Sequence, residues 1–97
     1  MKALDRLDPA FEHRARLAIA VLLARHEEIN FAAFKQRLDM SDGNLGAQLR
    51  KLEETGYVTL RRDFVERKPV TWYALTPGGR KALKSHVAAL RAVIDTP

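Results

Sequence analysis

The stretch "SDGNLGAQLRKLEETGYV", Ser41 to Val58, gathers the side chains with the clearest capacity for chemistry. Its two carboxamides, Asn44 and Gln48, stand four residues apart, which on a helix places them one turn apart on one side. A carboxamide carries a donor and an acceptor together, and either of these can pair bidentately with the edge of adenine. Ser41 and Lys51 bracket them and suit the holding of phosphate oxygens. Gly43 lets the helix N-terminus come close to an anion, where free N–H groups and the helix dipole favour negative charge. Small residues at Gly46 and Ala47 keep the helix from being held off a surface. A solvated amphipathic helix accounts well for Arg50, Lys51 and Glu54, but it gives no reason for the small residues. Arg67 and Lys68 add a second cationic group suited to backbone or minor-groove contacts; the plainer reading is a solubilising tip partly offset by Glu66. Arg61 and Arg62 are neighbours on an extended chain and point to opposite faces, so at most one of them serves the same surface.

Other chemistries find little support. His13, His26 and His86 have no metal-ligand spacing and no cysteine beside them. Ser85 and His86 are adjacent on a helix and point about 100° apart, which is not a catalytic pair. There are two serines, Ser41 and Ser85, no glycine-rich phosphate loop and no acidic cluster, so no enzyme is expected and no cofactor is implied. His86 falls in an apolar stripe and reads as a core or interface histidine. Trp72 reads as a packing residue rather than a stacking platform.

The 97 residues fit one domain, and a chain of this size buries about 60–65% of its unfolded surface. The absence of cysteine suits a reducing cytoplasm. Charges at Lys2, Asp5, Arg6 and Asp8 argue against a signal peptide. The most apolar run, Ala15 to Ala24, is too short to span a bilayer and contains Arg16. No membrane partner is expected. The net charge of +5 and pI near 10 permit a polyanionic partner. That support is weak, because from Ser41 to Trp72 Arg50, Lys51, Arg61, Arg62, Arg67 and Lys68 are nearly balanced by Asp42, Glu53, Glu54, Asp63 and Glu66.

The elements that must position these residues are legible from caps and periodicity. Asp8-Pro9 opens a first helix, expected over 9–25, with Phe11, Ala15, Ala18 and Leu22 at helical spacing and Leu17, Ile19, Val21 and Leu23 widening the stripe. Ile29 suits a very short strand, and Asn30 caps a second helix over 31–38. Ser41 caps a third over 42–55, with Leu45, Leu49 and Leu52 inward and Gly56 as its stop. "YVTLRRD" and "VTWYAL" alternate as strands within 57–75, joined by "FVERKP", a charged loop read as too long for a two-residue turn. Thr76-Pro77 caps a last helix over 77–94. Its lines Leu83, Val87, Leu90, Ile94 and Ala82, His86, Ala89, Val93 make an apolar face wider than a small core needs. The spare width suggests a second copy of the chain as a partner.

Helix, short helix, helix, hairpin, helix is the order of a winged helix-turn-helix: mainly α with a small β-hairpin, a three-helix core, a two-stranded wing and a long C-terminal dimerisation helix. The stretch "SDGNLGAQLRKLEETGYV…FVERKPVTWYALTPGGRKAL" resembles the small MarR/ArsR-like transcriptional regulators, in particular their short winged-helix DNA-binding subgroup. The resemblance runs from about Phe31 to Leu83. It rests on Leu45, Leu49, Leu52, Glu53, Gly56 and Tyr57, then on Phe64, Arg67, Lys68, Pro69, Thr71, Tyr73, Leu75 and Thr76, and on Gly79, Arg80 and Leu83. It departs at Ala47, where the family often carries a long polar or basic residue. The resemblance implies a homodimer, with the third helix in the major groove and the wing on the minor groove or backbone. It also implies a two-fold interface from the first and last helices, here Phe11, Leu83, Val87, Leu90 and Ile94.

Residues and resemblance together point to a cytoplasmic, sequence-specific DNA-binding transcriptional regulator acting as a homodimer on a pseudo-palindromic operator in double-stranded DNA. Its DNA-binding set is Ser41, Gly43, Asn44, Gln48, Lys51, Arg62, Arg67 and Lys68. Nothing indicates a small-molecule effector. The alternative is a winged-helix module that docks a protein and binds no DNA.

Overall fold

The computed structural model describes residues 2–96. The elements are helix α1 (Lys2–Asp5), a 3-10 turn (Pro9–Phe11), helix α2 (Arg14–Ala24), strand β1 (Ile29–Asn30), helices α3 (Phe31–Leu38) and α4 (Asp42–Glu54), strands β2 (Val58–Val65) and β3 (Lys68–Leu75), and helix α5 (Pro77–Ile94). The sheet is antiparallel in the order β1-β3-β2, so the short strand at Ile29 turns the expected hairpin into a three-stranded sheet. Ile19, Leu23, Phe34, Leu45, Leu49 and Leu52 are fully buried at the centre of the core.

The first helix differs from expectation. A helix over 9–25 is replaced by the 3-10 turn and a fresh helix from Arg14, and α1 precedes both. The reason is a second cap. Asp8 accepts the Ala10 N–H at 2.9 Å and starts the turn, but His13 is extended (φ −80°, ψ 123°) and its Nδ1 accepts the Ala15 N–H at 3.1 Å. The buried residues of α2 are Ile19, Ala20 and Leu23; Ile19 and Leu23 belong to the expected stripe, whereas Ala15, Ala18 and Leu22 on its central line are only half-buried. The restart turns Phe11 into the core, where it is 2% exposed.

The wing differs too. β2 and β3 pair continuously from Val58↔Leu75 to Val65↔Lys68, leaving a two-residue turn, Glu66-Arg67, rather than a six-residue loop. Both turn residues have positive φ, 53° and 69°. That conformation normally selects Asn or Gly, so nothing in the residue types announces it. Pro69 fits because the pair Val65↔Lys68 closes the turn by hydrogen bonds; alternation then leaves Phe64↔Pro69 a non-hydrogen-bonded pair, where proline forfeits no ladder bond.

The end of α4 and the start of α5 form one joint. Gly56 (φ 81°) stops α4 in a Schellman arrangement, with the Tyr57 N–H on the Leu52 carbonyl and the Gly56 N–H on that of Glu53. The Thr76 hydroxyl donates to the Gly56 carbonyl at 2.7 Å and accepts the Gly79 N–H at 2.9 Å, while the Thr76 N–H donates to the Tyr57 carbonyl at 3.0 Å. Asp8 closes the joint from the other side. Its carboxylate accepts the Tyr57 hydroxyl at 2.6 Å, and its N–H donates to His86 Nδ1 at 2.9 Å. The hydrogen bond to Asp8, helped by burial, pushes the Tyr57 phenol above its ordinary range. His86 is 4% exposed and packs against Phe11, whose ring also stacks on Tyr57.

Gly79 is the tightest point of the joint. A β-carbon there would overlap the Tyr57 carbonyl, whereas one at Gly78 would make only ordinary contact with Thr76. Gly79→Ala is therefore expected to cost about 3 kcal/mol, the upper range for overpacking against immovable backbone. In a chain this size that lowers the melting temperature by roughly 10 °C or more. Gly78→Ala is expected to leave it nearly unchanged, and paired thermal melts check both.

Candidate nucleic-acid interface

The helix-turn-helix is α3, the turn Asp39-Met40-Ser41 and α4. Asp39 ends α3 in the left-handed region (φ 50°), and the Ser41 side chain caps α4 by accepting the Asn44 N–H at 3.3 Å. Capping uses an oxygen lone pair of Ser41, so its O–H remains able to donate to a phosphate. Lys35 pairs with Asp42 at 2.8 Å across the turn.

With Leu45, Leu49 and Leu52 buried, α4 presents three lines outward. Gly43, Ala47, Arg50 and Glu54 run down the exposed centre. Asn44, Gln48 and Lys51 run along the flank nearest α2; Asn44 borders a polar depression with His13, Arg14 and Ser41, and Lys51 another with Arg16 and Pro9. On the opposite flank, Gly46, Arg50 and Glu53 form a cleft with Arg62, Thr71 and Leu60 of the sheet. A β-carbon on Gly43 or Gly46 would meet nothing within 4 Å. Neither glycine is therefore required by the protein's own packing, although each weakens the helix relative to alanine.

The two wing arginines separate as alternation requires. Arg62 lies on the α4 side. Arg61 lies on the other face, over the Trp72 ring at 5.6 Å, and donates to Glu28 at 2.7 and 2.9 Å and to Asp63 at 3.0 Å. Arg61's hydrogen bonds hold the Glu28 carboxyl below its ordinary range, and the Phe64 N–H, then Arg61, do the same for Asp63. Arg61 is engaged within the protein. Among the described residues, Arg50, Lys51, Arg62, Arg67 and Lys68 form no ion pair, and all five are exposed. Phe64 beside the wing turn is 71% exposed.

Two contacts bear on the residues expected at the site and at the interface. Asn44 and Gln48 are not independent free amides: Gln48 Nε2 donates to Asn44 Oδ1 at 3.2 Å, and Arg16 Nη1 donates to Gln48 Oε1 at 2.8 Å. Arg16 escaped notice as a member of the site, though a lone arginine inside the apolar run Ala15–Ala24 was the available signal. Of the residues expected at a two-fold interface, Phe11 is buried in the subunit's own core, and Leu83, 7% exposed, is buried there except where it lines a groove with Ala24 and Val87. Val87 and Leu90 are half-buried, and Ile94 is 76% exposed. Among the described residues no His, Cys, Asp and Glu group could hold a metal ion, and no helix is long and apolar enough to cross a membrane.

The architecture has clear relatives. Residues 15–94 match the family model for the winged helix DNA-binding domain. An uncharacterized protein of Methanocaldococcus jannaschii is 34% identical over 77 residues, which are 79% of this chain and 84% of that one. A transcriptional regulator homologue from Pyrococcus horikoshii OT3 superposes with a TM-score of 0.82 at 28% identity, covering 98% of this chain and 96% of its own. A MarR-family regulator from Rhodococcus sp. RHA1 shares the fold, with a TM-score of 0.75 at 21% identity over 96% of this chain and 63% of its own. Helix-turn-helix, wing and cationic outer face thus occur together in a chain that belongs to the winged helix DNA-binding domain family.

Proposed function

We propose that this chain is a homodimeric, sequence-specific transcriptional regulator that binds a pseudo-palindromic site in duplex DNA, with α4 in the major groove and the wing on the adjacent minor groove or backbone. The observation that carries this reading is the bare outer face of α4. Gly43 and Gly46 leave space that the protein itself never fills, between cations that its own acids leave unpaired. A duplex is rigid, anionic and must come close, which gives both features a reason. Ser41, Lys51, Arg62, Arg67 and Lys68 then hold phosphates, and Asn44 and Gln48 meet base edges. A second copy would cover the far end of α5, where Ile94 is exposed beside the half-buried Leu90 and Val93, with Leu4 of α1 also exposed. The nearby apolar groove of Ala24, Leu83, Val87 and Ala88, about 440 Å³, continues that surface. Two-fold pairing there would set the two α4 helices about one DNA turn apart, roughly 34 Å. The cytoplasm is the compartment this function requires.

Gly46→Ala, and to a lesser degree Gly43→Ala, is expected to stabilise the fold by up to about 1 kcal/mol through helix propensity. The same changes should weaken duplex binding by roughly tenfold, or about 1.4 kcal/mol. Thermal melts and titrations run side by side check this; equal or tighter binding by both variants would count against the reading. Wild-type affinity should also fall steeply with salt as phosphate contacts release counterions. Ile94→Lys changes an exposed side chain, so the subunit should stay folded. It is expected to sediment as a monomer at micromolar concentration, where the wild type sediments as a dimer.

A further inference from the structure

Arg16 lies inside the otherwise apolar run Ala15–Ala24 of α2 and is half-buried. Its Nε donates to the Ala10 carbonyl at 2.7 Å, Nη2 to that of Pro9 at 3.4 Å, and Nη1 to Gln48 Oε1 at 2.8 Å. A guanidinium has donors only, so the Gln48 atom facing it must be the oxygen. The usual uncertainty about which end of an amide is which is removed by that one-sided partner. Gln48 Nε2 then faces Asn44 at 3.2 Å, and because it donates, the atom it meets must be the Asn44 oxygen. One cation thus orients two amides in series. Both oxygens are turned to partners within the protein. On the donor side, one N–H on Gln48 and both N–H bonds on Asn44 stay uncommitted; each oxygen keeps a second lone pair but is held turned toward its partner within the protein.

Bidentate pairing with adenine needs the oxygen and an N–H of one amide on the same base edge, to meet N6–H and N7. Gln48 has its oxygen on a guanidinium, and Asn44 has its oxygen on Gln48. A line of donors instead suits an edge made of acceptors. In the major groove the edge with two acceptors is guanine, with N7 and O6 side by side; thymine offers the single acceptor O4 beside its methyl, and adenine and cytosine each present an amino group that would oppose the N–H bonds.

We infer that Arg16 is a positioning residue that sets the polarity of the reading line, making Asn44 and Gln48 select guanine rather than adenine. This rests on the proposed function above, with α4 as the DNA-reading element. A role confined to stapling the 3-10 turn onto α2 has a different signature. It would lower stability, and affinity evenly across sequences, without altering which base is chosen.

The experiment is selection from a random duplex library at low salt with wild type, Arg16→Met and Gln48→Met, each also followed by thermal melting. The relevant base position is the one whose preference relaxes in Asn44→Ala. Wild type is expected to select guanine there; selection of adenine would overturn the inference on its own. Arg16→Met frees Gln48 to turn, and preference should move from guanine toward adenine by about tenfold, the scale of one bidentate contact. If Arg16→Met does not fold, Gln48→Met leaves Arg16 on its two carbonyls and frees the Asn44 amide, with the same shift expected. Unchanged guanine preference in the folded variants would overturn the role given to Arg16. No enrichment of any duplex by wild type would instead remove the DNA reading, and this inference with it.

Discussion

The rest of the structure depends on how tightly the end of α4 is held to the start of α5. Two backbone segments, Gly56-Tyr57 and Thr76 to Gly79, are joined by two hydrogen bonds and one contact with no room for a β-carbon. Asp8 then ties the Tyr57 hydroxyl and the His86 ring into the same joint. Because it accepts from Asp8, the neutral His86 ring carries its proton on Nε2. The joint is polar at its rim and aromatic within, with Phe11 between Tyr57 and His86. It makes the outward helix and the long terminal helix one rigid unit. Any pairing of two subunits through α5 would therefore fix where both copies of α4 stand.

On that frame the outer surface divides by what the protein needs for itself. Arg61, Glu28 and Asp63 pair with one another on the far face of the sheet, with the Arg61 guanidinium over the Trp72 ring. Surface pairs of this kind add little stability, but they remove Arg61 from the charge available to a partner. The face formed by α4 and the near side of the wing is different: among the described residues its Arg50, Lys51 and Arg62 form no ion pair, and a β-carbon on Gly43 or Gly46 would touch nothing. The near-neutral balance of charge from Ser41 to Trp72 conceals this, because pairing is spatial and composition is not.

Legibility in the sequence followed the range of the forces involved. The caps at Asp8, Asn30, Ser41 and Thr76 and the stop at Gly56 are local, and each sits where its residue type suggested. The break after Phe11 was missed because His13 is an uncommon cap and Pro9 points to an uninterrupted helix. The tight wing turn was missed because Glu66 and Arg67 adopt positive φ without the usual residue types, a conformation that costs about 1–2 kcal/mol per residue and must be imposed by the pairing of β2 with β3. The outward positions of Ser41, Gly43, Asn44, Lys51 and Arg62 were readable from periodicity alone. The link from Arg16 to Gln48 was not, since it spans 32 residues and depends on how α2 crosses α4.

Contact of α4 and the near face of the wing with duplex DNA can be read by backbone amide NMR of the folded chain, titrated with a short duplex at low salt. Shifts are expected to concentrate in Ser41 to Lys51 and in the wing from Arg62 to Lys68, with the Ile94 end of α5 unmoved. Shifts confined to α1 and α5, or none at all with the duplex in excess, would contradict that contact.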